Sequence, residues 1–152
     1  MSKALAVAAL LAFATYAATG SSSDDACLMG TASLAPCARI ATADRAAVVV
    51  IPGAPGADAL EVTAKPIATD PAGAFLVEVS VNIATNGTVR FEPLGSFSFL
   101  PARVGISQTF VLPKPDVVPA GPLTLYVRLV SANASRPLGQ AAVEITGARL
   151  VR

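Results

Sequence analysis

FLVEVSVNI, residues 75–83, is the stretch that decides the fold. Its odd-numbered positions are all apolar, and the even-numbered positions from Glu78 onwards are polar. A period of two places successive side chains on opposite sides of the backbone, which fits a β-strand and not a helix. The stretch therefore predicts a strand with one face in a core and the other face largely in water.

The residues that follow predict a hairpin. Asn86-Gly87 is a strong two-residue turn signal, because both positions tolerate positive φ, and Thr88 to Leu94 is the expected return strand. A proline and a glycine then interrupt the pattern, and residues 96–100 are expected to form a separate strand. The alternation recurs over Leu123 to Ser131, with the odd-numbered side chains inward.

Shorter apolar runs predict further strands at 46–51, 60–69, 108–112, 140–145 and 148–151. The valine-rich run 46–51 is expected to be buried on both faces, and Pro66 indicates an edge strand or a bulge. Seven to nine short strands separated by Pro, Gly and Asn turns are typical of an antiparallel β-sandwich, with a small barrel as the alternative. The sequence therefore predicts an all-β sandwich over residues 44–152.

The first twenty residues have the pattern of a secretory signal peptide. Lys3 is followed by an uncharged apolar run from Ala4 to Tyr16, and small residues follow up to Gly20. A helix buried in the folded domain is the alternative. The run is too short to cross a bilayer, and no second one follows. We expect cleavage near Gly20, export to the extracellular space (or the periplasm of a bacterium) and no stable membrane insertion afterwards.

Residues 21–43 are expected to form an N-terminal arm that is tied by a disulfide between Cys27 and Cys37. Two cysteines ten positions apart in an oxidising compartment usually pair. A redox or metal site is the alternative, but the chain has neither a CxxC motif nor a histidine.

The charge balance argues against a nucleic-acid partner. The chain has 11 basic and 10 acidic residues, so removal of Lys3 with the leader leaves a neutral protein. A neutral chain without a dense basic cluster has no strong attraction to nucleic acid or to anionic lipid.

The residue inventory predicts a protein that is not an enzyme and that uses no cofactor or metal. The chain has no histidine, which removes the commonest general base and excludes a Ser-His-Asp triad. The remaining candidates for catalysis are carboxylates, Glu61, Glu78, Glu92 and Glu144, and each is expected to lie on the solvated face of its strand. A hydrolase that uses carboxylates alone is the rival hypothesis.

A few residues are candidates for contact or modification. Asn86 and Asn133 each begin an Asn-x-Ser/Thr sequence in an expected turn, so both are possible glycosylation sites in a eukaryote. Tyr126 and Arg128 are expected to point outward together and could contact a partner. Four phenylalanines are expected in the core: Phe75, Phe91, Phe97 and Phe99. The position of Phe110 is ambiguous.

Short motifs in the C-terminal half suggest a family resemblance: FLVEV at 75–79, GSF at 95–97, LP at 100–101, LTL at 123–125 and VEITG at 143–147. Residues 75–150 thereby resemble the small β-sandwich that follows the copper domain of plant-type polyphenol oxidases (tyrosinases). In that family the sandwich packs over the copper site. The resemblance implies a cap-like or partner-binding module, and it implies no copper chemistry because the histidine-bearing domain is absent.

The sequence therefore predicts a secreted, non-enzymatic module that works by binding or by forming structure. Its expected partner is another protein or a second copy of the chain. A cap or chaperone for a secreted oxidase and a surface or matrix subunit that polymerises through sheet edges are the alternatives.

Overall fold

The computed structural model describes residues 39–70, 74–85 and 88–152. Within these residues the chain forms eight strands and no helix: β1 (Ile40–Thr42), β2 (Ala47–Ile51), β3 (Ala59–Ala68), β4 (Phe75–Thr85), β5 (Thr88–Phe97), β6 (Gln108–Pro113), β7 (Leu123–Ser131) and β8 (Ala142–Val151). Sheet A has the order β1-β8-β3-β6 and sheet B the order β2-β7-β4-β5. The predicted antiparallel β-sandwich is confirmed.

Each of the first four strands pairs with one of the last four, and the pairs are nested inside one another along the chain. β4 pairs with β5, β3 with β6, β2 with β7 and β1 with β8, all antiparallel. Successive pairs alternate between sheet B and sheet A. This nested order is the jelly roll, in which most of the sheet pairing joins strands that are far apart in the sequence.

The core lies between the two sheets and is filled by the alternating positions. The odd-numbered residues of β4 from Phe75 to Ile83 are buried, and so are those of β7 from Leu123 to Leu129, as the sequence predicted. Each buried Val, Leu or Ile contributes about 1.5–3 kcal/mol to the free energy of folding. β4 and β7 are adjacent at the centre of sheet B, and their side chains pack against those of β3 and β8.

An aromatic cluster closes the sandwich where the chain crosses from β5 to β6. The rings of Phe97 and Phe110 are stacked with centroids 3.9 Å apart, and Phe99 meets Phe110 edge to face at 5.3 Å. Phe75 on β4 joins them, 6.3 Å from Phe99. The predicted core position of Phe75, Phe97 and Phe99 is confirmed, and Phe110 is half-buried beside them.

A β-bulge in β5 corrects two predictions. Val79 lies opposite Gly95 but Ser80 lies opposite Pro93, so Leu94 is an extra residue. Beyond an extra residue, the side chains that would have faced inward face outward, and those that would have faced outward face inward. Phe91 is therefore exposed and not part of the core, and Glu92 is buried and not solvated.

A second bulge explains why β8 is one strand and not the two expected. Thr63 of β3 pairs with Gly147, whereas Ala64 pairs with Ile145, which leaves Thr146 unpaired. Strand β8 continues through this point from Ala142 to Val151. β5 likewise continues to Phe97, where the sequence suggested a break after Leu94.

Two more strands differ from or refine the prediction. β2 is not buried on both faces: Ala47, Val49 and Ile51 are buried but Val48 and Val50 are exposed, because in a two-layer fold only one face of each sheet packs against the other. β3 has the bulge that Pro66 indicated, since its register against β8 shifts there. Pro66 lies beyond the last β3–β6 pair, where the missing N–H does not interrupt that ladder.

Several predictions concern residues outside the described ones. The leader (1–20), the Cys27–Cys37 disulfide and the Asn86 acceptor all fall there. The sandwich itself begins earlier than residue 44, because β1 lies within the segment assigned to the N-terminal arm and pairs with β8. The described residues include no helix with the length and apolarity of a membrane span.

The β2–β3 loop touches the β6–β7 loop at a glycine. A Cβ placed on Gly53 would overlap the carbonyl oxygens of Pro119 and Gly121, whereas a Cβ on Gly121 would meet no atom within 4 Å. The two loops can therefore approach only because residue 53 has no side chain.

We predict that Gly53→Ala lowers the free energy of unfolding by about 1–3 kcal/mol, because one of the two loops must shift to remove the overlap. Gly121→Ala is the matched control and should change stability by about 0.5 kcal/mol or less. Urea denaturation of the three proteins measures both effects. Equal stability of the two variants would contradict the contact.

Candidate binding surface

The outer face of sheet A is polar and its charges are paired. Lys65 Nζ lies 2.7 Å from Glu144 Oε2, and the Arg149 guanidinium lies 2.7 Å from Glu61 Oε2. Between these pairs the Thr63 hydroxyl is hydrogen-bonded to the Thr109 hydroxyl at 2.9 Å. Every one of these pairs joins neighbouring strands, so this face is an ordinary solvated surface.

The outer face of sheet B is different, because it has four exposed apolar side chains and a half-buried tyrosine. We refer to these five residues as the apolar patch: Val48, Val50, Val89, Phe91 and Tyr126. Val50 and Val89 are each 61% exposed, Phe91 is 56% exposed and Val48 is 37% exposed. Large apolar side chains that cluster on one face, with polar groups around them, indicate an interaction surface.

Strand register brings the patch together. Val48 on β2 lies opposite Tyr126 on β7, and Tyr126 lies opposite Ser80 on β4. Phe91 on β5 lies opposite Asn82 on β4. The two rings thus stand on strands that flank β4, above its small polar side chains.

The two aromatic rings meet across β4. The centroids of Phe91 and Tyr126 are 5.0 Å apart and their planes are inclined by 45°. Underneath them the Asn82 Oδ1 atom is shielded from solvent, and no described residue hydrogen-bonds to it. The centre of the face is therefore a pair of aromatic rings next to one amide oxygen that is shielded from solvent.

The predicted contact pair, Tyr126 and Arg128, lies on this face. Tyr126 is half-buried against Phe91, and Arg128 is exposed with its guanidinium 2.9 Å from Glu78 Oε2. Sequence reasoning found Tyr126 but placed Phe91 in the core and did not select Val48, Val50 or Val89. Gly95 within a strand was the available signal for the bulge that turns Phe91 outward.

The four candidate glutamates do not come together. Glu61, Glu78 and Glu144 each pair with a base on a neighbouring strand, two on sheet A and one on sheet B. Glu92 lies apart from them under the β6–β7 loop. No group of three or more acidic or cysteine residues among the described ones is close enough to hold a metal ion.

Glu92 has a structural contact. Its Oε1 atom accepts a hydrogen bond of 2.8 Å from the backbone N–H of Asp116, next to the buried Pro115. The inward-facing carboxylate of β5 thus fastens the proline-rich β6–β7 loop to sheet B. A hydrogen bond to a charged acceptor contributes more than a neutral one, typically about 1.5–3 kcal/mol.

We predict that Glu92→Ala lowers the free energy of unfolding by about 1–3 kcal/mol, because the Asp116 N–H loses its acceptor. Glu92→Gln keeps an acceptor oxygen at the same distance from the backbone, so its loss of unfolding free energy should be less than half that of Glu92→Ala. Glu78→Ala, which removes an exposed ion pair, should change the free energy of unfolding by about 0.5 kcal/mol. Thermal and urea unfolding measure all three, and a loss in Glu92→Gln equal to that in Glu92→Ala would contradict the contact.

A pocket of ≈ 410 Å³ lies at the end of the sandwich and is lined mostly by apolar side chains, among them Phe75, Phe99 and Leu100. Its acidic residue, Asp70, accepts a hydrogen bond of 2.8 Å from the Gly139 N–H, so its carboxylate serves a loop contact. The patch, with two aromatic rings at its centre, is the better candidate for recognition.

Asn133 lies in the exposed β7–β8 loop. Its side-chain oxygen accepts a hydrogen bond of 3.0 Å from the Ser135 N–H.

Comparison of the chain with models of protein families, with curated proteins and with solved structures finds no match. The resemblance of residues 75–150 to the polyphenol oxidase sandwich therefore stays a prediction.

Proposed function

We propose that this protein is a secreted, non-enzymatic binding module that recognises a protein partner through the apolar patch of sheet B. The contact between the exposed Phe91 ring and the half-buried Tyr126 ring is the observation that carries the proposal. It sits on a rigid sheet and not on a loop, so binding would require little ordering of the module itself.

The composition of the patch favours a protein over nucleic acid or an anionic surface. Protein interfaces have an apolar centre in which aromatic residues are enriched and charges are depleted, surrounded by a polar rim. Here the centre is formed by two rings and three valines, and the rim contains the Glu78–Arg128 ion pair. Among the described residues no dense basic cluster lies beside the patch to attract phosphate.

The contrast between the two faces supports the same assignment. Both sheets expose an outer surface with cross-strand ion pairs, but among the described residues of the sheet A strands only one large apolar side chain, Val111, is exposed. Sheet B instead exposes apolar area that would be stabilised by burial, at about 25 cal/mol for each Å². A partner that covers the patch gains this free energy.

We predict that Phe91→Ser weakens binding of the partner at least about tenfold, as expected for an aromatic residue at the centre of an interface. Val111→Ser is the matched control, since Val111 is an exposed valine (66%) on the opposite sheet. A photo-reactive residue at position 89 would first capture the partner in the native host, and a photo-reactive residue at position 111 is the reference. Titration calorimetry with the purified partner then compares the variants.

Two results would overturn the proposal. One is capture of the same proteins from positions 89 and 111, which would show that the patch confers no selectivity. The other is an unchanged dissociation constant for Phe91→Ser in a variant whose thermal unfolding equals that of the parent.

A further inference from the structure

β2 is a sheet edge without the usual protection against pairing. Within the described residues it is hydrogen-bonded only to β7, so its other side has unpaired backbone N–H and C=O groups. Its sequence, AVVVI, contains no proline, glycine or charge. Natural edge strands are normally protected by such residues, by bulges or by being very short.

The other three edges do have such protection. β1 has only three residues. β5 contains Pro93 and the Leu94 bulge, and β6 ends in Pro113, whose nitrogen has no hydrogen to donate. β2 is therefore the edge at which an added strand meets the least obstruction.

We propose that β2 pairs with β2 of a second copy of this chain, which joins two copies of sheet B into one eight-stranded sheet. The strand is self-complementary when antiparallel to itself with Val49 on the two-fold axis. Val48 then lies opposite the second copy's Val50 on the outer face, and Ala47 lies opposite the second copy's Ile51 on the inner face. All five residues are paired, and of the three inner pairs two join a small side chain to a large one while the third joins Val49 to its own copy.

Alternative registers are poorer. A shift of one residue would place outward side chains opposite inward ones, which an antiparallel pair does not allow. A shift of two residues would leave only three pairs. The self-complementary register is thus the one with the largest number of contacts.

The symmetry closes the assembly at two copies. Pairing of one edge with the same edge is isologous, and it consumes β2 in both subunits. Because the remaining edges are protected, growth into a filament or matrix does not follow. The pairing also makes the two apolar patches continuous through Val48 and Val50, so that the dimer presents a double patch to a partner.

The contact is small, and the dimer should be weak. Five residue pairs bury less area than a standard interface, so we expect a dissociation constant on the order of 100 µM. The neutral charge of the chain without Lys3 means that electrostatic repulsion does not oppose the pairing.

Sedimentation equilibrium from about 10 µM to about 1 mM tests the proposal, because that range brackets weak interfaces. We expect a concentration-dependent monomer–dimer equilibrium for the parent protein. Val50→Lys should shift it at least about tenfold toward monomer, because a lysine on an edge strand opposes pairing. Val111→Lys, on the β6 edge of sheet A, is the matched control and should leave it unchanged.

Phe91→Ser separates edge pairing from association through the patch, and it keeps this test independent of the proposed function. Edge pairing predicts that Phe91→Ser still dimerises. A parent protein that is monomeric at about 1 mM, an equal effect of Val50→Lys and Val111→Lys, or loss of the dimer in Phe91→Ser but not in Val50→Lys would each overturn the proposal. Thermal unfolding confirms that every variant is folded.

Discussion

The burial of alternating side chains between two sheets is the constraint on which the rest of the structure depends. β4 and β7 alternate regularly between buried and outward side chains, and they are the two central strands of sheet B. Once their odd-numbered side chains face inward, their even-numbered side chains must form the outer face. The location of the candidate binding surface thus follows from the same pattern that builds the core.

Local pattern was sufficient to predict the class of fold and several of its strands. The FLVEVSVNI stretch and residues 123–131 have one polar and one apolar side, and both proved to be half-buried strands. The Asn86-Gly87 signal is consistent with the register of β4 and β5, in which Thr85 pairs with Thr88. The jelly-roll order was not predictable in this way, because pairs such as β1–β8 join strands about a hundred residues apart, and no local pattern specifies them.

The wrong predictions have two physical causes. At the bulges of Leu94 and Thr146 the odd-numbered and even-numbered side chains exchange faces. An alternation that is read from one end of the strand therefore assigns the wrong face beyond the bulge. The errors at Phe91 and Glu92 both come from the first bulge. The error at β2 has another cause: in a run of five apolar residues the sequence contains no contrast between the faces, and only the packing of one face against sheet A shows which valines remain exposed.

The bulge in β5 connects stability with recognition. The extra residue turns Glu92 inward, where its carboxylate fastens the β6–β7 loop through the Asp116 N–H. The same change of face turns Phe91 outward, where its ring meets Tyr126. Without the bulge, a strand with Phe97 inward would bury Phe91 and expose Glu92, and the outer face of sheet B would lose its aromatic centre. A single inserted residue thus supplies both a loop contact and half of the candidate recognition site.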